Sequence, residues 1–188
     1  MVPMSMPAPR YRFTVDEWHQ MIEAGMFRKG QRVELLDGEI YEMAPIGPPH
    51  QSIVDRLTHL LVTRFGDRAI VRVQGPITVD RRSEPEPDLQ LLRRRDDYYS
   101  KAHPGAQQSF LVVEVADSSL DYDHAKLRIY AATGVREVWI VDVRGDRVEV
   151  HRTPRDGVFT ETRIAERGQQ LACDAFPDVA LSVDDILG

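Results

Sequence analysis

Two carboxylates and one amine carry the chemistry that this sequence suggests. Asp88 stands at the head of a predicted strand, and Glu114 interrupts the apolar run 110–116, which we expect to be buried. Lys126 follows on a predicted helix. Two carboxylates and an ammonium group brought to one point can bind a divalent cation and activate a water molecule. The rest of the chain is then the scaffold that brings these three side chains together.

Glu114 is the most informative of the three residues. A buried carboxylate without a partner is costly, so such a group is normally paired, protonated or bound to a metal. One interpretation is therefore a metal ligand. The structural alternative places Glu114 at the exposed end of its strand, in contact with a surface arginine. The sequence allows both interpretations, because structural ion pairs also place acidic residues in sheets.

Asp88 and Lys126 also have ordinary explanations. A proline before an aspartate is typical of a loop that enters a strand, but beside Glu114 on a neighbouring strand Asp88 can share a hard cation such as Mg²⁺. Lys126 shares one helix face with Asp123 and Tyr130, at spacing i, i+3, i+7. It forms either a weak exposed pair with Asp123 or a contact at the metal site, where its charge orients water or stabilises the phosphate.

Two further residues are candidates for the same site. Glu34 lies in a predicted hairpin strand, where alternation alone favours an outward polar side chain. His50 opens a long predicted helix, and a neutral histidine at a helix start is an ordinary outcome. A histidine near a phosphodiester can instead donate a proton or a hydrogen bond. The other five histidines show no recognisable metal-ligand spacing: His19, His59, His103, His124 and His151.

The elements that position these residues follow from hydrophobic periodicity and turn signals. Thr14 and Glu17 form a capping box for a first helix that Gly25 ends. Asp37-Gly38 suits the tight turn of a hairpin over 32–43. Other predicted helices span 50–65, 122–133 and 182–187, and predicted strands span 69–74, 77–79, 88–92, 110–116, 137–143, 147–152 and 158–164. The fold class is α/β, a mixed sheet flanked by helices with an N-terminal helix and hairpin.

Length and composition agree with one soluble domain. The 188 residues are 42% hydrophobic and 29% charged, and we expect a flexible tail over 1–10 and a single domain over 11–188. One cysteine, Cys173, excludes an internal disulfide and favours a reducing cytoplasm. No stretch approaches the roughly 20 apolar residues of a membrane span. The net charge of −6 tells against coating nucleic acid by bulk charge, but it allows a local nucleic-acid site around a metal.

Several familiar catalytic motifs are missing from the sequence. It has no Gly-rich phosphate loop followed by Lys-Ser/Thr, no G-x-G-x-x-G, no G-x-S-x-G, no H-E-x-x-H and no C-x-x-C. Nucleotide hydrolysis on a P-loop, dinucleotide chemistry, serine hydrolysis and structural zinc all lose support.

Taken together, several blocks resemble the PD-(D/E)XK nuclease superfamily, and more narrowly the Uma-type restriction endonuclease family. The matching blocks are Thr14-Val15-Asp16-Glu17, the segment 33–40, Met43 with His50, Glu86-Pro87-Asp88-Leu89, Val113-Glu114-Val115, Ser118-Ser119, Asp123, Lys126, Tyr130 and the segment 134–142. The resemblance extends over about 11–187, which is almost the whole chain.

The resemblance implies a role for each candidate. Asp88 and Glu114 become the metal-binding carboxylates, and the backbone carbonyl of Val115 becomes a further ligand. Ala116 stands where the superfamily motif has its lysine, so Lys126 on the following helix is its replacement. The resemblance makes Glu34 an accessory acid and places His50 beside the site.

These observations predict an endonuclease that uses Mg²⁺ or Mn²⁺ to hydrolyse DNA. A homodimer is expected, because cutting both strands of a duplex favours two sites related by a two-fold axis. The alternative is a non-catalytic DNA-binding or oligomeric interaction module that keeps the nuclease fold.

Overall fold

A six-stranded mixed sheet forms the centre of the protein, seen in a computed structural model that describes residues 9–188. Its strands, in chain order, are β3 (Ile70–Val73), β4 (Leu89–Leu92), β5 (Ser109–Ala116), β6 (Glu137–Asp142), β7 (Arg147–Arg155) and β8 (Val158–Glu166), and they follow the same order in space. Only β5 and β6 run parallel among neighbours in this sheet. The predicted flexible tail lies outside the described residues except for Pro9 and Arg10.

Helices cover both faces of this sheet. Residues 9–188 form four α-helices: α1 (Val15–Glu23), α2 (Pro48–Phe65), α3 (Leu120–Thr133) and α4 (Val183–Leu187). On one face α2 and α4 contribute to the larger apolar core, which includes Leu57, Trp139 and Ile186. On the other face α3 packs Tyr130 against residues of β5 and β6. The predicted α/β architecture with a flanked mixed sheet is confirmed.

The crossover from β5 through α3 to β6 sets the position of α3. Both strands are buried along nearly their whole length, as the parallel centre of such a sheet requires. Gly134 ends α3 with a φ of +83°, a left-handed conformation that glycine adopts without strain. The chain then returns directly into β6, so α3 lies over the sheet beside the end of β5.

A hairpin and a short helix form the N-terminal part of the fold. The hairpin consists of β1 (Val33–Leu36) and β2 (Glu39–Glu42), and its turn residues Asp37 and Gly38 both have positive φ. The predicted capping box of α1 is present, with Thr14 and Glu17 bonded reciprocally. A bridge from Leu35 to Glu84 joins the hairpin to the loop that leads into β4.

Some predicted boundaries were wrong. Residues 77–79 are not a strand, because only an isolated bridge between Thr78 and Gly105 forms there. Helix α2 begins at Pro48 rather than residue 50, since proline fits the first helical position, where the N–H has no partner. A further antiparallel pair, β9 (Gln170–Ala172) with β10 (Ala180–Ser182), was not predicted. Each of its strands has three residues, which is too short for a periodic signal.

Among the described residues, no helix is both long and apolar enough to cross a membrane.

Candidate active site

The end of β5, the start of β4 and the first turns of α3 enclose one cavity of about 260 Å³. All five of the side chains that the sequence singles out for chemistry lie at or beside it. Asp88, Glu114, Lys126 and His50 line the cavity directly. Glu34, from β1, contacts Lys126 with an Oε1–Nζ distance of 3.4 Å.

Asp88 is held at the entry to β4 by two hydrogen bonds. Its Oδ2 accepts from the backbone N–H of Val115 at 2.9 Å, and it lies 3.0 Å from Nε2 of His50. The residue is 7% exposed. The pairing of β4 with β5 places Asp88 next to Glu114 and Val115. Asp88 is therefore a buried carboxylate at a strand junction, rather than an ordinary loop residue.

Glu114 lies on the face of β5 that α3 covers. Its Oε1 is 2.7 Å from Nζ of Lys126 and accepts a hydrogen bond from the hydroxyl of Tyr130 at 2.6 Å. The residue is 2% exposed, so the alternative of an exposed strand end beside a surface arginine was wrong. Burial raises the pKa of Glu114 to about 8; Lys126 opposes this shift, and the nearby carboxylates of Asp123 and Asp88 add to it.

Lys126 reaches the same point from the first half of α3. It is 1% exposed, and its Nζ contacts Glu114 and Glu34. Burial alone lowers the pKa of Lys126, but these two carboxylates outweigh it, and the pKa lies well above its ordinary value. The alternative of an exposed pair with Asp123 was wrong because both residues are buried. Ala116, where the superfamily motif has its lysine, lies on the same face of β5 as Glu114. In this chain Lys126 of α3 brings an ammonium group to that face instead.

Strand alternation alone favours an outward side chain for Glu34, but the structure buries it. It is 1% exposed, because α3 and the loop before β4 cover its side of the hairpin. Its Oε1 accepts from the hydroxyl of Tyr122 at 2.7 Å, and its Oε2 accepts from the backbone N–H of Glu86 at 2.8 Å. These bonds position Glu34 beside Lys126.

Two further residues of α3 complete the wall of the cavity. Tyr122 had no signal in the sequence beyond its position one turn before Lys126. The sequence indicated Asp123 by its shared helix face and as one of the matching blocks, without a role at the site. It is 5% exposed, and its Oδ2 accepts from the hydroxyl of Ser119 at 2.6 Å. Burial raises the pKa of Asp123 to about 6, while Lys126 and the Ser119 hydroxyl lower it.

The donor set fits a hard divalent cation. Four carboxylates lie around one buried ammonium group: Glu34, Asp88, Glu114 and Asp123. Among the described residues, Asp88 is contacted only at Oδ2 and Glu114 only at Oε1. Each of these two carboxylates therefore keeps one oxygen free for a ligand in the cavity. Excess negative charge and free carboxylate oxygens suit Mg²⁺ or Mn²⁺.

Outside this cavity, the structure corrects what sequence spacing indicated about the histidines. Side chains distant in sequence meet in two groups, His19 with Glu84 and His103, and His124 with Glu149 and His151. Each group brings possible ligand atoms within 4.8 Å of one another. Spacing along the chain could not reveal them because each group draws on separate elements of the fold.

Comparisons with known proteins agree with this architecture. A solved structure from Anabaena variabilis, described as a "putative nuclease belonging to DUF820", superposes with a TM-score of 0.76 at 17% identity, over 93% of this chain and 97% of that chain. At this identity the similarity shows a shared fold. No curated protein matches the sequence significantly. A family model, Uma2, described as "Putative restriction endonuclease", matches residues 15–184. The chain therefore belongs to the Uma2 family.

Proposed function

We propose that this protein is an endonuclease that hydrolyses DNA phosphodiester bonds with Mg²⁺ or Mn²⁺, which Asp88 and Glu114 hold. The observation that carries this proposal is one free oxygen on each of two buried carboxylates, facing one cavity beside a buried ammonium group. Membership of a family described as restriction endonucleases supports the same chemistry. We assign the backbone carbonyl of Val115, a residue that also lines the cavity, as a further ligand.

A divalent cation bound there would polarise the phosphate and lower the pKa of a bound water. Lys126 orients the attacking water with its ammonium N–H groups and offsets the negative charge that develops on the phosphate. Glu34 holds Lys126 in place as an accessory acid. Tyr130 and Tyr122 orient Glu114 and Glu34 through their hydroxyl groups.

His50 is the fifth residue of the proposed site. Its Nε2 contacts Asp88, and its Nδ1 is buried without a partner among the described residues. We propose that His50 orients the Asp88 carboxylate, and its predicted contact with the phosphate remains a prediction. The loop 43–47 and Arg32 also line this cavity, and we propose that the DNA backbone enters beside them. A homodimer also remains a prediction, since two sites related by a two-fold axis suit cleavage of both strands.

The proposal is tested by plasmid cleavage with purified protein and MgCl₂ or MnCl₂. Wild type is expected to nick or linearise the plasmid, and EDTA is expected to stop the reaction. Asp88→Asn and Lys126→Met are each expected to lower the rate by at least about 100-fold, since each removes a charge at the reacting phosphate. Asp55→Asn and Lys101→Met are matched controls because both residues are exposed and neither lines the cavity.

Equal cleavage by wild type and by both site variants would contradict the assignment. Circular dichroism and thermal melting must show that the inactive variants are folded. The non-catalytic alternative, a DNA-binding or oligomeric interaction module, predicts no Mn²⁺ binding at millimolar metal with the carboxylates intact. Calorimetric titration of wild type with MnCl₂ therefore separates the two functions without a DNA substrate.

A further inference from the structure

A second group of ligand atoms lies on the same face of the sheet as Glu114 but two strands away. Glu149 and His151 are neighbours on one face of β7, and His124 projects from α3 above them. Oε2 of Glu149 lies 2.8 Å from Nε2 of His124 and 3.3 Å from Nε2 of His151. Ile140 of β6 stands between Glu114 and Glu149 in the strand register. The group is thus separate from the cavity of the proposed active site.

The geometry of this group suits a tetrahedral transition-metal ion. Zn²⁺ binds imidazole nitrogen and carboxylate oxygen at about 2.0–2.2 Å, which places tetrahedral ligand atoms about 3.3 Å apart. The ligand atoms of His124, Glu149 and His151 all lie within 4.8 Å of one another. Two of the separations, 2.8 and 3.3 Å from Oε2 of Glu149, are close to the spacing that a tetrahedral ion requires.

Surrounding residues already orient two of these side chains. Nδ1 of His151 lies 3.2 Å from the hydroxyl of Thr162 on β8, which can accept the imidazole N–H and leave Nε2 free for a metal. Arg147 donates to the other carboxylate oxygen of Glu149, Oε1, at 3.2 Å, and its Nε lies 3.1 Å from Asp142. Partners of this kind behind each ligand are typical of metal sites. Glu149 and His151 are 7% and 6% exposed, so both side chains are buried beneath α3.

The other histidine group is less suited to an ion. Only Glu84 is buried in this group, whereas both Glu149 and His151 are buried in the other. His103 is exposed in a loop. This group serves as a matched comparison, because it has the same residue types without the same support.

We propose that His124, Glu149 and His151 bind Zn²⁺, with water as the fourth ligand on the exposed side of His124. The ion cross-links α3 to β7, and thereby fixes the helix that also carries Lys126. The site is structural, and it does not depend on whether the cavity at Asp88 cleaves DNA.

The test is titration of the full chain with CoCl₂ and ZnCl₂ in the background Asp88→Asn with Glu114→Gln, which removes the proposed catalytic metal. One equivalent of Co²⁺ is expected to give the visible absorption of a four-coordinate ion, and Zn²⁺ is expected to displace it. Loss of a residue that hydrogen-bonds to a metal ligand typically lowers the affinity for the metal by about 10–100-fold. Removing a direct ligand by His124→Gln should therefore weaken binding by about 100-fold, while His19→Gln leaves it unchanged.

Two further measurements keep the test independent of any one variant. Zn²⁺ at 100 times its dissociation constant should raise the melting temperature by about 5–10 °C, and at the same Zn²⁺ concentration His124→Gln should reduce this rise to about 1 °C. Zinc-soaked crystals of the wild-type protein should show anomalous density between His124, Glu149 and His151. The proposal is overturned if the background variant binds no stoichiometric Co²⁺, if His124→Gln binds as tightly as His19→Gln, or if the anomalous density lies only at other residues.

Discussion

Replacing Glu114 by glutamine should stabilise the metal-free protein while it removes metal binding. Glu114 is buried beside three other carboxylates, and this position raises its pKa to about 8. A glutamine keeps the shape, and its Oε1 can still accept from Lys126 and Tyr130. Its amide group takes the place of the carboxylate oxygen that is free in the cavity. The variant therefore removes an acid that destabilises the fold in the absence of a cation.

The size of this effect follows from the proton balance of Glu114. Between its ordinary pKa of 4.5 and the folded value of about 8, the folded protein binds a proton that the unfolded chain releases. The free energy of unfolding therefore falls as the pH rises through this interval, by at most about 1.4 kcal/mol per pH unit. At pH 7 the accumulated loss is about 3 kcal/mol, which glutamine avoids. The expected gain in melting temperature is about 6–12 °C.

Thermal and urea unfolding in EDTA, from pH 5 to pH 8.5, measure this gain. Glu114→Gln should differ little from wild type near pH 5 and exceed it progressively up to about pH 8. Glu23→Gln is the matched control because Glu23 is exposed, and it should show no such trend. Mn²⁺ should stabilise wild type and leave Glu114→Gln unchanged. A variant that is less stable than wild type at pH 8 in EDTA, or a difference independent of pH, would refute the reasoning.

Three more predictions concern groups around the same sheet. Mn²⁺ binding to wild type at pH 7 should release about one proton, because Glu114 must ionise; calorimetry in two buffers of different ionisation enthalpy would contradict this if the heats agree. Tyr130→Phe should cost about 1–3 kcal/mol in urea unfolding, since it removes a buried donor to Glu114; an unchanged midpoint would argue against that bond. Burial raises the pKa of Cys173 to about 12, so its thiol should react with Ellman's reagent only on unfolding; rapid reaction in the native protein would show otherwise.

The regular elements around the site were predictable because each has a local cause. Residues close in sequence determine the capping box at Thr14 and Glu17, the turn at Asp37 and Gly38, and the strand that is apolar apart from Ser109 and Glu114. Local periodicity therefore identified the strand, helix and strand that form the crossover of the fold. Helix starts were less certain, since proline at the start of α2 serves as its first residue rather than ending the loop.

Burial of the polar residues was harder to predict from the sequence, because it depends on contacts between segments that are distant along the chain. Glu34 reads as an outward residue of a hairpin, yet Tyr122, 88 positions later, covers and bonds it. The two histidine groups likewise join residues from separate elements, as His124 and Glu149 show. Sequence spacing does not show which helix face packs on which strand, so these contacts could be identified only in the folded structure.

The central claim, that Asp88 and Glu114 hold the metal of a nuclease, is tested most directly by anomalous scattering from crystals soaked in MnCl₂. The account predicts a Mn²⁺ peak about 2.1 Å from Oδ1 of Asp88 and Oε2 of Glu114, with Nζ of Lys126 within hydrogen-bonding reach of a water on the ion. Crystals of Asp88→Asn should lack this peak. A wild-type crystal with no Mn²⁺ between Asp88 and Glu114, or an equal peak there in Asp88→Asn, would contradict the claim.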